Sequence, residues 1–593
     1  MTTRARVRSR ARGRGLPAGA IALFLAFPFG CASTQDKRFP SREELQAIRA
    51  REAPVRIADA DRVDVAEWTL AGPLPDVVGV APRSPQGPLD EALRAAAATN
   101  PDVTASEGMH CVARELARFY VAHDKGVGRG LGDFIVARCG EPALQLDWRS
   151  IYGEVPDEVS DDELLAEWRD GIGQLASSLV TQGPGSVGMA FARANGKAIV
   201  LGATGRRRVQ VEPISMLPAG DGTIRVRGVF LERVDRARAH VTQGRYGAVE
   251  CEAAEGVSPP RFDFVCPTAA EDELAWIEIG GFREGRLLGK RMLDLIVRPA
   301  RTAGDRYVRP RYGPEVDPSG EEDLAQALAG LLNRVRLEAG LKPLELAPEQ
   351  TRSATELAPH FFSSLVEQDE ATSDTIVLGM MAGWDVDGVV VQGGVGWSVV
   401  HPADDLSELL SAALERPGPR HVLLGPDMNR LAIGPVSDPE SSTLAVLFGT
   451  YSLFDTSEPQ RRADAAWQKV VEARAKKGRS APARLTAVQN IAFEAAQLIE
   501  EGAEPKDALE HLLHRASRKL RGKRISAGYF NASSLDELEI PKDLVDKDPL
   551  SVALAVAPYR EKGAAWGSYV VLYVTIRSAG TRTATGPVTS HDG

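Results

Sequence analysis

Apolar residues recur at helical spacing over Leu89 to Ala98, Ser106 to Ala122 and Asp161 to Leu179, the last with Leu164, Leu165, Trp168, Ile172 and Leu175 on one stripe. These stretches predict helices. Val187 to Ala192 and Ala198 to Leu201 read instead as a hairpin around Asn195-Gly196. From residue 206 to 300 the pattern changes. Short β-like runs (Arg207 to Glu212, Thr223 to Leu231, Arg245 to Glu252, Arg261 to Cys266, Leu274 to Ile279, Met292 to Val297) alternate with Gly, Pro and Asp, which predicts a small β-sandwich. Residues 301–320 hold three prolines and a Pro318-Ser-Gly run and read as a linker.

Helical periodicity returns at Glu321 to Ala339, Pro348 to Leu365 and Asp404 to Glu415, followed by strand-like Asn429 to Pro435 and Ser442 to Thr450. A third block repeats the order. Helices are predicted at Ala463 to Lys477, Leu485 to Glu501 and Pro505 to Leu520, and strands at Leu550 to Ala557 and Tyr569 to Ile576 around a Lys562-Gly563 turn. Gly340, Gly478 and Gly502 sit where helices should stop. Arg336-x-x-x-Gly340 and Leu346-x-x-x-Gln350 match Arg474-x-x-x-Gly478 and Leu485-x-x-x-Gln489, and Ala354 and Ala358 match Ala492 and Ala496. Such spaced copies point to duplication of one unit. The block at 85–205 shares the order with fewer matching residues. The expected layout is therefore a leader at 1–31, a tether at 32–84 with a short helix near Glu43 to Arg51, modules at 85–205, 321–455 and 461–577, a sandwich at 206–300, a linker at 301–320 and a disordered tail at 578–593. The fold class expected is α+β: repeated α-β-α sandwich modules plus one small all-β sandwich.

The leader begins with Arg4, Arg6, Arg8, Arg10, Arg12 and Arg14 and continues with an apolar run from Leu16 to Phe29, too short to span a bilayer comfortably. It ends Phe27-Pro28-Phe29-Gly30-Cys31, which resembles a bacterial lipoprotein signal, a small residue preceding a lipid-modified cysteine. That resemblance implies export and a lipid anchor at Cys31 in the cell envelope, at the outer membrane, with the membrane as one partner. The other four cysteines, Cys111, Cys139, Cys251 and Cys266, allow three connectivities; 111–139 and 251–266 are the short-loop choice, and four buried thiols are the alternative. Formal charge is -10, with all six leader cations outside the remainder, so nucleic acid is not an expected partner.

The second module resembles the CAP superfamily of cysteine-rich secretory, antigen 5 and pathogenesis-related-1 proteins, including bacterial SCP-like members. The carrying residues are Leu332-Asn333-Arg334-Val335-Arg336, Gly340-Leu341, Pro343-Leu344, Leu346 and Ala354, then Pro417-Gly418-Pro419-Arg420-His421 through Pro426, and Leu431 to Gly434. The resemblance implies an α-β-α sandwich and a groove of two histidines and two acids that binds a divalent ion in some members. In this chain that set is scattered. His421 matches the second histidine and His123, in the first module, the first. Gly132-Asp133-Phe134-Ile135 resembles the Gly-Glu-Asn-Ile segment with Asp for Glu. Trp168 matches the helix tryptophan, but Ser177 and Ser178 stand where a histidine belongs. His360 lies within a helix, and His511 and His514 match nothing in the pattern and read as part of a solvated basic helix. His123, Asp133 and His421 are thus candidates for a vestigial groove. No cofactor and no metal are expected, because one histidine and one acid hold a cation weakly.

Gly126, Gly128, Gly130 and Gly132 do not form a dinucleotide fingerprint and read as a flexible surface loop. Pro184 to Gly188 lacks the first glycine of a nucleophile elbow. The expected function is non-enzymatic: binding of an unknown protein, glycan or lipid, or interaction with the envelope. Two alternatives stay open. One is a metal-dependent hydrolase using His123 and Asp133 with Glu154 or Glu167, and the other is a carrier of lipid or a small apolar ligand.

Overall fold

The structure, a computed structural model, describes residues 39–577 apart from 53–54, 58–61, 73, 80, 85, 182–184, 269–273, 284–288, 299–303, 319–322, 387, 402–404, 439–441, 455–458, 533–534, 536–537, 548–549, 562–563 and 565. The leader with Cys31, the Lys562-Gly563 turn and the tail from 578 lie outside the described residues. The chain divides into two compact units. One takes in the described residues up to Asp385 and Gly393–Tyr451; the other takes in Val386–Gln392 and the chain from Ser452.

Helices and strands both make up the fold, which is mixed α+β. In the first unit, a four-stranded sheet runs in the order Val103–Ala105, Gly185–Ala194, Lys197–Arg207, Ala143–Glu154. Its first strand is parallel to the next, and the others are antiparallel. Helix Glu107–His123 packs on one face, and helices Pro88–Ala97 and Arg169–Leu179 on the other. The hairpin turns at Asn195 and Gly196, both with positive φ (55° and 69°), which is why Asn-Gly is suited to it. The stretch 161–179 is two helices, Asp161–Glu167 and Arg169–Leu179, broken at Trp168.

A second sheet, most of its residues in the same unit, runs Glu345–Leu346, Arg430–Asp438, Thr443–Leu453, Val390–Val400, with Glu345–Leu346 parallel to Arg430–Asp438. Helix Pro348–Glu367 packs on Arg430–Asp438 so closely that a Cβ on Gly434 would lie 2.3 Å from the Ala354 carbonyl oxygen. Gly188 has the same place in the first sheet, 2.2 Å from the Met109 backbone. Only glycine lets helix and strand approach this far. The second unit has a sheet ordered Ala483–Arg484, Leu550–Tyr559, Ser568–Arg577, Ile525–Ala532, again with a parallel first pair. Helix Pro459–Lys476 covers one face, and helices Gln489–Glu500 and Pro505–Lys519 the other. Numbered along the chain within each sheet, all three therefore follow the order first, third, fourth, second.

Residues between the first two of these sheets form a β-sandwich. One of its sheets is Glu252–Ala253, Arg261–Pro267, Thr223–Phe230, Val209–Val211; the other is Gly247–Glu250, Arg236–Gln243, Ala275–Phe282, Lys290–Val297. The apolar core between them includes Val226, Phe264, Val241, Ile277 and Leu293. Disulfides join Cys111 to Cys139 in the first module and Cys251 to Cys266 in the sandwich.

Three expectations need correction. The glycine-rich stretch 126–132 is not a loop: it forms strand Gly126–Val127 and the start of helix Arg129–Arg138, because Leu131, Phe134 and Ile135 bury one face and outweigh the cost of helical glycine. The tether region carries its expected short helix, at Arg42–Arg49 and started by a Ser41 capping box, but its described residues also form three short strands, of which Glu67–Thr69 pairs with Arg306–Val308. The linker is likewise structured, since Tyr307 and Tyr312 are almost wholly buried within it. Proline and glycine content masked these anchoring aromatics.

Candidate functional site

The site grows from the sandwich sheet that contains Ala275–Phe282. In that strand and in Lys290–Val297, apolar runs are interrupted by one acid each, Glu278 and Asp294. Across the ladder Glu278 stands opposite Asp294 on one side and His240 on the other. Residues directly opposite project from the same face, so the three form a polar row on the face away from the sandwich core. That face is covered. Trp276 and Ile296, in the next row, belong to the core of the first module, helix Arg129–Arg138 packs on strand Lys290–Val297, and helix Pro417–Leu423 packs on the other strands.

Two guanidiniums enter this buried row. Arg291 Nη1 donates to Asp294 Oδ2 at 2.8 Å and to Asp133 Oδ2 at 3.3 Å. Arg416 Nη1 donates to Asp294 Oδ2 at 2.9 Å, its Nη2 donates to Asp133, and its guanidinium lies 3.9 Å from the centre of the Trp276 ring. Two arginines thus balance two aspartates. Glu278 has no exposure, and neither carboxyl oxygen has a hydrogen-bond partner. Burial, reinforced by the Asp294 charge, pushes its pKa up to about 8, so at neutral pH it is a carboxylic acid and the cluster is electrically balanced. Burial pushes His240 down to about 3, helped by His421 and Arg238. The His421 ring lies 5.5 Å from the His240 ring and is also held below the usual histidine range, first by burial.

This electrostatic arrangement fixes a pH dependence. Glu278 keeps its proton in the folded chain up to about pH 8, whereas the unfolded chain releases it near the ordinary value of 4.5. The folded state binds the extra proton between those values, so its contribution to stability is complete below the lower one and is lost as pH rises through the upper one. His240 and His421 act oppositely: each is held below the usual histidine range, so its contribution is lost as pH falls, for His240 toward about 3. Glu278→Gln is expected to flatten the alkaline fall in stability, measured by urea unfolding at a series of pH values from 5 to 9. A slope unchanged from the parent would show that Glu278 is already ionised in the fold.

A cleft of about 390 Å³ adjoins the cluster. Phe134, Trp276, Tyr307 and Tyr312 give it an aromatic floor, and Arg245, Arg306, Arg311 and Arg420 bring cations to it. Arg420 is itself structural: it donates to the carbonyls of Leu414, Gly244 and Gly247 and to the Tyr312 hydroxyl. Tyr312 in turn donates to the Arg245 carbonyl at 2.7 Å. Glu415, fully buried, accepts from the Tyr307 hydroxyl at 3.3 Å, and burial raises its pKa. Arg306 and Arg311 stand exposed at the rim, paired with Glu67 and Glu315. Such a cleft can stack a flat or apolar body against the floor while an anionic group meets the rim.

The residues singled out from sequence fall in three different surroundings. His123 is exposed at the end of helix Glu107–His123, its ring 4.3 Å from Phe119 and 5.7 Å from Trp68. Asp133 is locked between Arg291 and Arg416. His421 faces His240. Glu154 and Glu167 are exposed, and His511 and His514 lie on helix Pro505–Lys519. Among the described residues no group of three or more His, Cys, Asp or Glu gathers as a metal site would require. Sequence reasoning missed Glu278, Asp294, Arg291, Arg416 and His240. A lone acid within Trp-Ile-Glu-Ile and within Leu-Asp-Leu was the available signal.

Comparison with family models finds no match, and comparison with curated proteins finds none either. Two solved structures show a weak likeness. A cysteine-rich secretory protein from Staphylococcus aureus is 13% identical over 41% of this chain and 84% of its own, with a TM-score of 0.17. An extracellular SCP-domain protein from Bacillus anthracis is 10% identical over 51% and 94%, also with a TM-score of 0.17. Likenesses of this strength place no residue and assign no activity. Among the described residues no helix is long and apolar enough to cross a membrane.

Proposed function

We propose that the chain is an exported lipoprotein of the bacterial cell envelope, held at the outer membrane by lipid on Cys31, and that it works by binding rather than by turnover. In this reading its three α-β-α modules are diverged copies of one CAP-type unit. The observation that carries export is the cysteine arithmetic. Four cysteines close into two disulfides, which leaves Cys31, at the end of a basic and apolar leader, as the odd one. Binding is supported by the cleft, whose volume lies within the ~300–1,000 Å³ usual for small-ligand sites. Its lining suits a small molecule with an apolar face and an anionic group, as a glycan or lipid fragment can supply. Asp133, committed to two guanidiniums, is poorly placed to act as the base of a hydrolase.

Cells fed labelled palmitate should incorporate it into the full chain and not into Cys31→Ser. The same full chain should take up 8-anilinonaphthalene-1-sulfonate, an aromatic anion, with about tenfold loss of affinity in Arg311→Ala, which removes one charge-assisted contact at the rim. Equal labelling of both chains would end the anchor reading. Unchanged dye affinity would end the reading of the cleft.

A further inference from the structure

The second unit carries a surface whose charge runs against that of the whole molecule. Helix Pro505–Lys519 and the turn into strand Ile525–Ala532 expose Arg515, Arg518, Lys519, Arg521, Lys523 and Arg524 within ten consecutive residues. Arg515 pairs with Glu494; among the described residues no ion pair engages the other five. Cations in a last helical turn complement the helix dipole, which accounts for Arg518 and Lys519. Arg521, Lys523 and Arg524 lie beyond the helix and need another reason. Two large apolar side chains are exposed beside them: Leu513 on the helix and Tyr529 on the strand, each 41% accessible. Tyr529 shares its strand face with Ile525 and Ala527, which pack in the core beneath this helix.

We propose that this surface docks on an anionic membrane leaflet, with lipid phosphates as its ligands. Unpaired cations meet the headgroups, while the leucine and tyrosine enter the boundary with the acyl chains. A net charge of -10 repels the rest of the molecule from such a leaflet, so the patch also sets orientation. Nucleic acid is the less suitable partner, because the chain is acidic overall and the patch offers one aromatic side chain rather than a stacking platform. The inference does not rest on lipid at Cys31.

The test compares the full chain on vesicles of phosphatidylcholine alone and of phosphatidylcholine with phosphatidylglycerol. The anionic vesicles should bind more tightly, and added salt should erase the difference. Reversing four charges in Arg518→Glu/Lys519→Glu/Lys523→Glu/Arg524→Glu should abolish the preference, a loss on the order of a hundredfold or more at about fivefold per cation. Reversing four exposed arginines elsewhere (Arg149→Glu, Arg206→Glu, Arg227→Glu, Arg233→Glu) should leave it in place. The leader is common to all three chains, so its own affinity for lipid cancels. Equal binding to both vesicles, equal loss in both variants, or salt-sensitive binding of duplex DNA or RNA without a vesicle preference overturns the proposal. Should the first variant fail to fold, Lys523→Gln/Arg524→Gln, both beyond the helix, takes its place: it should still weaken binding to the anionic vesicles relative to the parent, and unchanged binding overturns the proposal.

Discussion

Arg416→Met is expected to destabilise the first unit by about 3–5 kcal/mol, as the loss of one partner from a buried ionic cluster does. Arg416 bridges Asp133 and Asp294 and lies over the Trp276 ring. Without it two aspartates share Arg291, and one negative charge is left buried without an opposite. Methionine fills much of the volume, so the loss reports charge rather than a cavity. Asp133→Asn supplies the internal check. In the double variant the cluster returns to one arginine and one aspartate, and part of the stability should come back. Urea unfolding followed by tryptophan emission measures both. Strictly additive losses would show that the cluster does not act as a unit.

A comparable loss, about 3 kcal/mol or more, is expected from Arg336→Met and from Arg474→Met. Each arginine has no exposure, and each donates to a set of main-chain carbonyls. Arg336 holds Lys342, Leu423, Gly425 and Met428; Arg474 holds Ser480, Leu544, Val545 and Lys547. In both, Nε reaches the carbonyl six residues on, and the other nitrogens gather a later loop against the same helix. Removing either leaves several buried acceptors without donors. Hydrogen exchange resolved by peptide should rise in the strands of the module that lost its arginine and stay unchanged in the others. A variant as protected as the parent would show that water replaces the guanidinium at no cost.

These two arginines also show how far the sequence could be followed. Arg336-x-x-x-Gly340 and Arg474-x-x-x-Gly478 were visible as matching strings, and Gly340 and Gly478 end their helices with positive φ, as expected. Long amphipathic helices were legible because each sets its own period. Strand Arg236–Gln243 was not. Its Arg-Ala-Arg-Ala-His alternates correctly, but it lacks the bulky apolar residues that usually mark a strand. It carries His240, so the polar row was lost with it. Asp133 was picked out for a different role, because its partners are contributed by Arg291 and Arg416, far away in sequence. Long-range charge pairing leaves no local period to read.

The strand order shared by the three sheets constrains how such a chain can fold while it is being threaded. Among the described residues the first strand of each sheet pairs only with the third, and the second only with the fourth. Neither early strand has a partner until the closing hairpin arrives. A chain emerging from its amino end would therefore hold each module open until the last dozen or so residues of that module were free, then zip it shut in one event. Vulnerability to proteases during synthesis or export should come in pulses, one per module, each ending as a hairpin clears.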